Sequence, residues 1–146
     1  RKIAFEQQRY VAERLKQTIE ELILDRYCYF GTGGALGFDT LAAQCVLFLK
    51  KQYSHIKLIL VLPCVTQTSG WNKEDIAIYE EIKNQADKVV YTSKDYSKEC
   101  MFKRNRHLVD YSSVCVAYLT KTRGGTAYTV NYAKQKNIRV INLAEY

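Results

Sequence analysis

The chain has 146 residues, 47% of them hydrophobic and 25% charged, with a formal net charge of +7. That length suits one domain of roughly 100–200 residues with a real core, and the composition excludes a disordered chain, a collagen and a coiled-coil rod. The longest apolar runs, 45–49 and 58–63, fall far short of the ~20 residues a membrane span needs.

Val11, Leu15, Ile19 and Leu22 recur at three- or four-residue spacing, which predicts an amphipathic helix over 5–24. Residues 27–30 are a short β-prone run, followed by a glycine-rich loop over 31–37. The next helix is expected over 38–52, with Phe38, Leu41, Ala42, Cys45 and Leu49 on one face. Residues 57–62 form a continuous apolar strand of the kind covered on both faces. A polar loop over 63–72 holds the single proline and the single tryptophan, Trp71. Asn72 can cap the following helix, with Glu74 and Asp75 in its first turn. Strands are expected over 88–91, 114–119 and 139–142. Between them lie a helix capped by Ser97 and running to Asp110, and a helix over 126–136. Asn137 suits the left-handed position that ends the latter helix.

Strands alternating with helices predict an α/β fold, a mostly parallel sheet with right-handed crossovers. Such domains normally open with a strand, whereas these residues open just before a helix, so a missing first strand is an expectation. Five cysteines, at 28, 45, 64, 100 and 115, include no C-x-x-C pair. They predict reduced, buried thiols in a cytoplasmic protein rather than a disulfide framework or zinc site.

Charge is uneven. Residues 1–93 carry 12 Lys or Arg against 11 Asp or Glu, whereas residues 94–146 carry 10 against 4. Nearly all the positive excess thus lies in the last third, which suits an anionic partner: a phosphate-bearing small molecule or a nucleic acid. A solvated basic surface would look the same.

Two strand-to-helix junctions are glycine-rich, Gly31-Thr32-Gly33-Gly34-Ala35-Leu36-Gly37 and Arg123-Gly124-Gly125-Thr126. Glycine lets a ligand approach the backbone, and free N–H groups at a helix start can hold an anion. A tight turn would need the same residues, but two such loops at the carboxyl ends of parallel strands fit the ligand crevice of open α/β sheets. The first loop is not G-x-G-x-x-G, and no acid ends the following strand, which argues against a conventional NAD site. G-K-[ST] and G-x-S-x-G are also missing from the sequence, and two histidines make a His-rich metal site improbable. Asp39, in the first turn after Gly37, could favour the helix dipole or accept hydrogen bonds from ligand hydroxyls. In Lys103-Arg104-Asn105-Arg106-His107, at most two side chains can reach one ligand, because helix geometry turns them different ways. Trp71 could stack on a base or cover the core.

Together these motifs resemble the SLOG superfamily, named for its SMF/DprA and LOG members, and most of all its YpsA-like branch. The matching residues are Gly33 to Asp39, Leu62-Pro63-Cys64 with Gln67 and Trp71, and Ala86-Asp87. They continue with Met101, Arg104-Asn105, Val109-Asp110, and Gly124-Gly125-Thr126 with Ala133. The family usually opens with a strand ending in Thr-Gly-His-Arg, of which Arg1 would be the last residue. The resemblance implies a Rossmann-like single domain over 1–146, helices on both faces of its sheet, and a pocket for a nucleotide or ADP-ribose-like molecule. Its phosphate would sit between Gly33-Gly34 and Gly124-Gly125-Thr126, with Asp39 facing the sugar and Arg104 and Asn105 bordering the pocket. LOG-type enzymes release a base from a nucleoside monophosphate with a glutamate; the corresponding position here is Thr129, which implies a binding or sensor domain without a reaction or cofactor of its own. The alternatives are a LOG-type phosphoribohydrolase and a single-stranded DNA binder, since the DNA-processing relative shares the R-N-R segment at Arg104–Arg106. Weak single-stranded nucleic-acid binding and a homo-oligomer are further expectations; a membrane partner is not expected.

Overall fold

A computed structural model describes residues 5–145, so Arg1 and its expected strand lie outside the described residues. Among the described residues, five helices alternate with five strands. They are α1 (Phe5–Leu24), β1 (Tyr29–Thr32), α2 (Phe38–Lys50), β2 (Lys57–Leu62) and α3 (Lys73–Gln85). Then come β3 (Lys88–Tyr91), α4 (Cys100–Asp110), β4 (Val114–Ala117), α5 (Gly125–Gln135) and β5 (Arg139–Asn142). Every strand pairing is parallel, and the strands form two hydrogen-bonded groups, β1-β2-β3 and β4-β5. This is the expected Rossmann-like α/β fold. No helix among the described residues is long and apolar enough to cross a membrane.

Helices cover both faces. Leu60 of β2 lines one small cavity with Ala43 of α2 and with Tyr79 and Ile82 of α3. Gly31 of β1, in register with Ile59, faces Leu108 of α4 instead. Side chains alternate along a strand, so Leu58, Leu60 and Leu62 serve the α2–α3 side and Ile59 the α4 side. Leu58, Leu60 and Leu62 are fully buried, as are Val11, Leu15 and Ile19 on the predicted stripe of α1. Between β3 and β4 the chain passes from the α2–α3 side to the α4 side. Ligands of open α/β sheets bind beyond the carboxyl ends of the strands.

The bounds of β1, α2, β4, α4 and α5 differ from the sequence pattern; α2 ends at Lys50, two residues early, and α5 at Gln135, one residue early. β1 begins two residues late, because Arg26 at φ 73 closes α1 with a bond from the Tyr27 N–H to the Leu22 carbonyl. It then runs on through Gly31, whose pairing opposite Ile59 overrides glycine's weak strand preference. The strand expected to reach Leu119 stops at Ala117. Beyond it the Asn142 side-chain amide replaces the ladder, accepting from the Leu119 N–H at 3.0 Å and donating to its carbonyl at 3.1 Å. Ser97 does not cap α4 with its hydroxyl; its carbonyl accepts from Cys100 N–H, and the helix starts there behind Glu99. α5 starts at Gly125, one residue early. Asn72 does cap α3, its Oδ1 accepting from Asp75 N–H at 2.8 Å, and Asn137 takes the left-handed conformation at φ 59. All five cysteines are free, but only Cys64 and Cys100 are buried; the other three are half-buried.

Asp87 ties three elements together. Its carboxylate accepts from the Leu58 N–H at 2.8 Å and from Lys50 Nζ at 2.5 Å. The Lys50 ammonium, at the end of α2, holds the Asp87 carboxyl below its ordinary range. A depressed folded-state value stabilises above the unfolded carboxylate pKa of about 3.9, and that stability is lost as pH falls through the folded value. Asp87→Ala is therefore expected to cost about 1 kcal/mol near neutrality, since solvent screens the pair, and nothing at strongly acid pH. Urea unfolding at the two pH values checks this.

Candidate ligand site

The carboxyl ends of β1 to β4 lead into α2, α3, α4 and α5, whose N-termini therefore gather at one end of the sheet. Their capping differs. Asn72 closes α3 with its own side chain, whereas α2, α4 and α5 start at Gly37, Glu99 and Gly124 without a side-chain cap. Uncapped N–H groups and the helix dipole make such ends receptive to anions.

The first glycine loop is held from within the protein. Arg104 is only 4% exposed, and its Nη1 donates to the Gly33 carbonyl. Its Nε donates to Asn105 Oδ1 at 2.7 Å, which orients the guanidinium. Gln67 Nε2 also reaches the Gly33 carbonyl, at 3.4 Å, and Gln67 Oε1 accepts from the Tyr79 hydroxyl at 3.1 Å. Burial pushes that hydroxyl far above its ordinary range, which keeps it a donor. A β-carbon at 33 would crowd the Arg104 guanidinium, and Gly34 sits at φ 74 against Leu62. Asp39 Oδ2 accepts from the Ala35 N–H at 3.1 Å, and the Thr32 hydroxyl bonds to the Asp39 carbonyl. The cavity behind the loop, bounded by Gly34, Asp39, Thr40 and Tyr79, is about 10 Å³. No organic ligand fits there, so any ligand must lie on the outer, solvent side of the loop.

The second loop is open. Beta-carbons at Gly124 and Gly125 would meet no atom within 4 Å, and Gly124 has φ 111. Thr126 is exposed beside them, while the Thr129 hydroxyl turns back onto the Gly125 carbonyl at 2.9 Å.

The basic cluster divides as helix geometry requires. Arg104 is buried under the first loop, Lys103 is exposed, and His107 stacks near Tyr111 at 4.6 Å. Arg106 Nη1 donates to the Tyr128 hydroxyl at 2.8 Å, bracing α4 against α5. Trp71 meets Tyr79 edge to face at 5.4 Å and packs on the core, the placement of a cover. Gln67 and Tyr79 were not singled out for chemistry by the sequence. Tyr79 looks like any core residue of an amphipathic helix, and Gln67, although among the residues that carry the family resemblance, has no role that its type or loop position predicts.

A family model, described as the YspA SLOG family and designated YpsA, matches residues 4–144. The chain belongs to this SLOG family. Among curated relatives, the "Uncharacterized SPbeta prophage-derived protein YoqJ" of Bacillus subtilis (strain 168) is 35% identical over 136 residues, covering 84% of this chain and 80% of the relative. A UPF0398 protein of Bacillus thuringiensis (strain Al Hakam) is 28% identical over 129 residues, 86% of this chain and 70% of its own length. A UPF0398 protein of Bacillus cereus (strain AH187) shows the same values. Gly33, Gln67, Arg104 and Asn105, four of the residues that carry the resemblance, form one hydrogen-bonded assembly in this chain.

Proposed function

We propose that this SLOG domain binds a nucleotide or nucleotide-derived molecule, its phosphate held by backbone N–H groups of the Gly33-Gly34 loop and the Gly124-Gly125-Thr126 helix start. The observation that carries this reading is the buried guanidinium of Arg104 on the Gly33 carbonyl. Burying a charge is costly, and a plain turn has no need of it. A loop whose backbone must keep one shape for a ligand does. Asp39, already accepting from Ala35, keeps a second oxygen for sugar hydroxyls at the same helix start. Arg104 and Asn105 then act from beneath the loop and not by touching the phosphate.

The domain is read as a binder and not a nucleoside-phosphate hydrolase. N-glycosidic cleavage builds positive charge on the sugar, which a carboxylate stabilises. Thr129 is neutral and its hydroxyl is bonded into its own helix. A strand-binding role is weakened because Arg104 is buried and Arg106 is engaged by Tyr128.

The test is calorimetry with nucleoside monophosphates, NAD fragments and ADP-ribose on the parent and on Gly125→Asp. The aspartate meets open space, so stability should stay within about 0.5 kcal/mol. Its carboxylate faces the anion, so affinity should fall at least about tenfold. A folded Gly125→Asp protein that binds as tightly as the parent, or a parent that binds none of these compounds, would remove the proposal.

A further inference from the structure

The outer face of α2 and α3 carries a groove of about 220 Å³ that lies away from the glycine loops. Leu47 and Phe48 line it from α2, and Ile78 and Ile82 from α3. Phe48 is 56% exposed and Ile78 38% exposed, although both belong to well-formed helices. The Lys16 ammonium covers one face of the Phe48 ring at 5.1 Å and leaves the rest open. Leaving a phenylalanine and an isoleucine side by side in water forgoes the burial that such side chains favour. The groove is also bipolar, with Lys51 on its α2 wall and Glu81 on its α3 wall.

We propose that this groove is the contact surface for a second copy of the chain. A two-fold axis along the groove sets the α2 wall of each copy over the α3 wall of the other. Phe48 of one copy then enters the groove of the second, against Ile78 and Ile82. The same operation brings each Lys51 to the Glu81 of the other copy, so the rim charges are satisfied twice. An unrelated partner would have to supply an acid opposite Lys51 and a base opposite Glu81; a second copy supplies both by symmetry. An aromatic anchor surrounded by a polar, charge-paired rim is the common arrangement of interfaces.

Sedimentation equilibrium tests the proposal on the whole chain. The expected mass is twice the 16.9 kDa of one chain. Phe48→Glu should give the single-chain mass with unchanged circular dichroism, because the residue is mostly exposed. Lys51→Glu and Glu81→Lys should each weaken the dimer by about tenfold or more, and the two together should restore it. A single-chain mass up to about 100 µM, above the micromolar range of specific interfaces, would overturn the proposal. So would a dimer indifferent to Phe48→Glu, or paired charge reversal that fails to rescue.

Discussion

Gly34→Ala is expected to cost about 2–5 kcal/mol of folding stability, whereas Gly125→Ala should stay within about 0.5 kcal/mol. The two glycines have similar places in the sequence, each at a strand-to-helix junction. Their surroundings differ. Gly34 has φ 74, a conformation that costs an ordinary residue about 1–2 kcal/mol. Its new β-carbon would stand 2.5 Å from Leu62 Cδ2, with Gln67 Oε1 and Tyr79 Cε1 at 3.4 Å. Leu62 is fully buried and cannot withdraw without disturbing the core, and overpacking of that kind adds about 1–3 kcal/mol. Gly125 has open space around it and begins a helix, where alanine is favoured. Urea denaturation measures both. Equal midpoint shifts for the two variants would contradict this account of the loops.

Removing Arg104 should be as disruptive, by another route. Arg104→Ala deletes a charge-assisted hydrogen bond to the Gly33 carbonyl, for a loss of about 2–3 kcal/mol, and frees Asn105. Arg104→Lys keeps the charge but has no planar fork, so it cannot hold the Gly33 carbonyl and Asn105 Oδ1 together. Both variants should weaken nucleotide binding at least about tenfold, because the loop loses its brace. Arg106→Ala should leave binding within about threefold, since it removes only the bond to Tyr128. If Arg106→Ala proved the more damaging to binding, the ligand would lie along the α4–α5 surface and not on the glycine loops.

The contrast between these arginines marks where the sequence stops being legible. Composition and order make them neighbours in one basic cluster, and it is the family resemblance that places Arg104 beside the ligand. Its burial has a signal that is visible in retrospect. Arg104 falls four residues after Cys100 and five before Val109, on the stripe that α4 buries. An arginine on an apolar stripe points to a buried polar partner, but the partner, a glycine carbonyl 71 positions away, leaves no mark in the sequence. The elements themselves were more readable. The bounds of α1, β2, β3 and β5 follow from periodicity and apolar runs, because local pattern and burial agree there. Local pattern makes β4 too long, because the Asn142 side chain replaces the ladder beyond Ala117, and shifts β1, because neither the α1 closure at Arg26 nor the pairing of Gly31 has a strong local signal. The grouping of the strands into two hydrogen-bonded sets is a matter of long-range pairing, which no local pattern encodes.

The unequal capping of the helix starts shapes how an anion arrives. α3 spends its first donors on Asn72, and the α2 start is partly offset by the negative charge of Asp39. α5 has neither a side-chain cap nor an acid at its start, whereas α4 starts behind Glu99; both lie in the part of the chain that carries the excess of lysine and arginine. The potential along the carboxyl edge therefore rises from the α3 side toward α5. On the proposed reading, a phosphate diffusing past the edge is attracted toward that higher potential, at the Gly124-Gly125 end, before it meets the braced loop. Capture should therefore slow as salt is added, as the screening length shrinks from about 10 Å at 0.1 M to about 3 Å at 1 M, while the rate of escape changes much less.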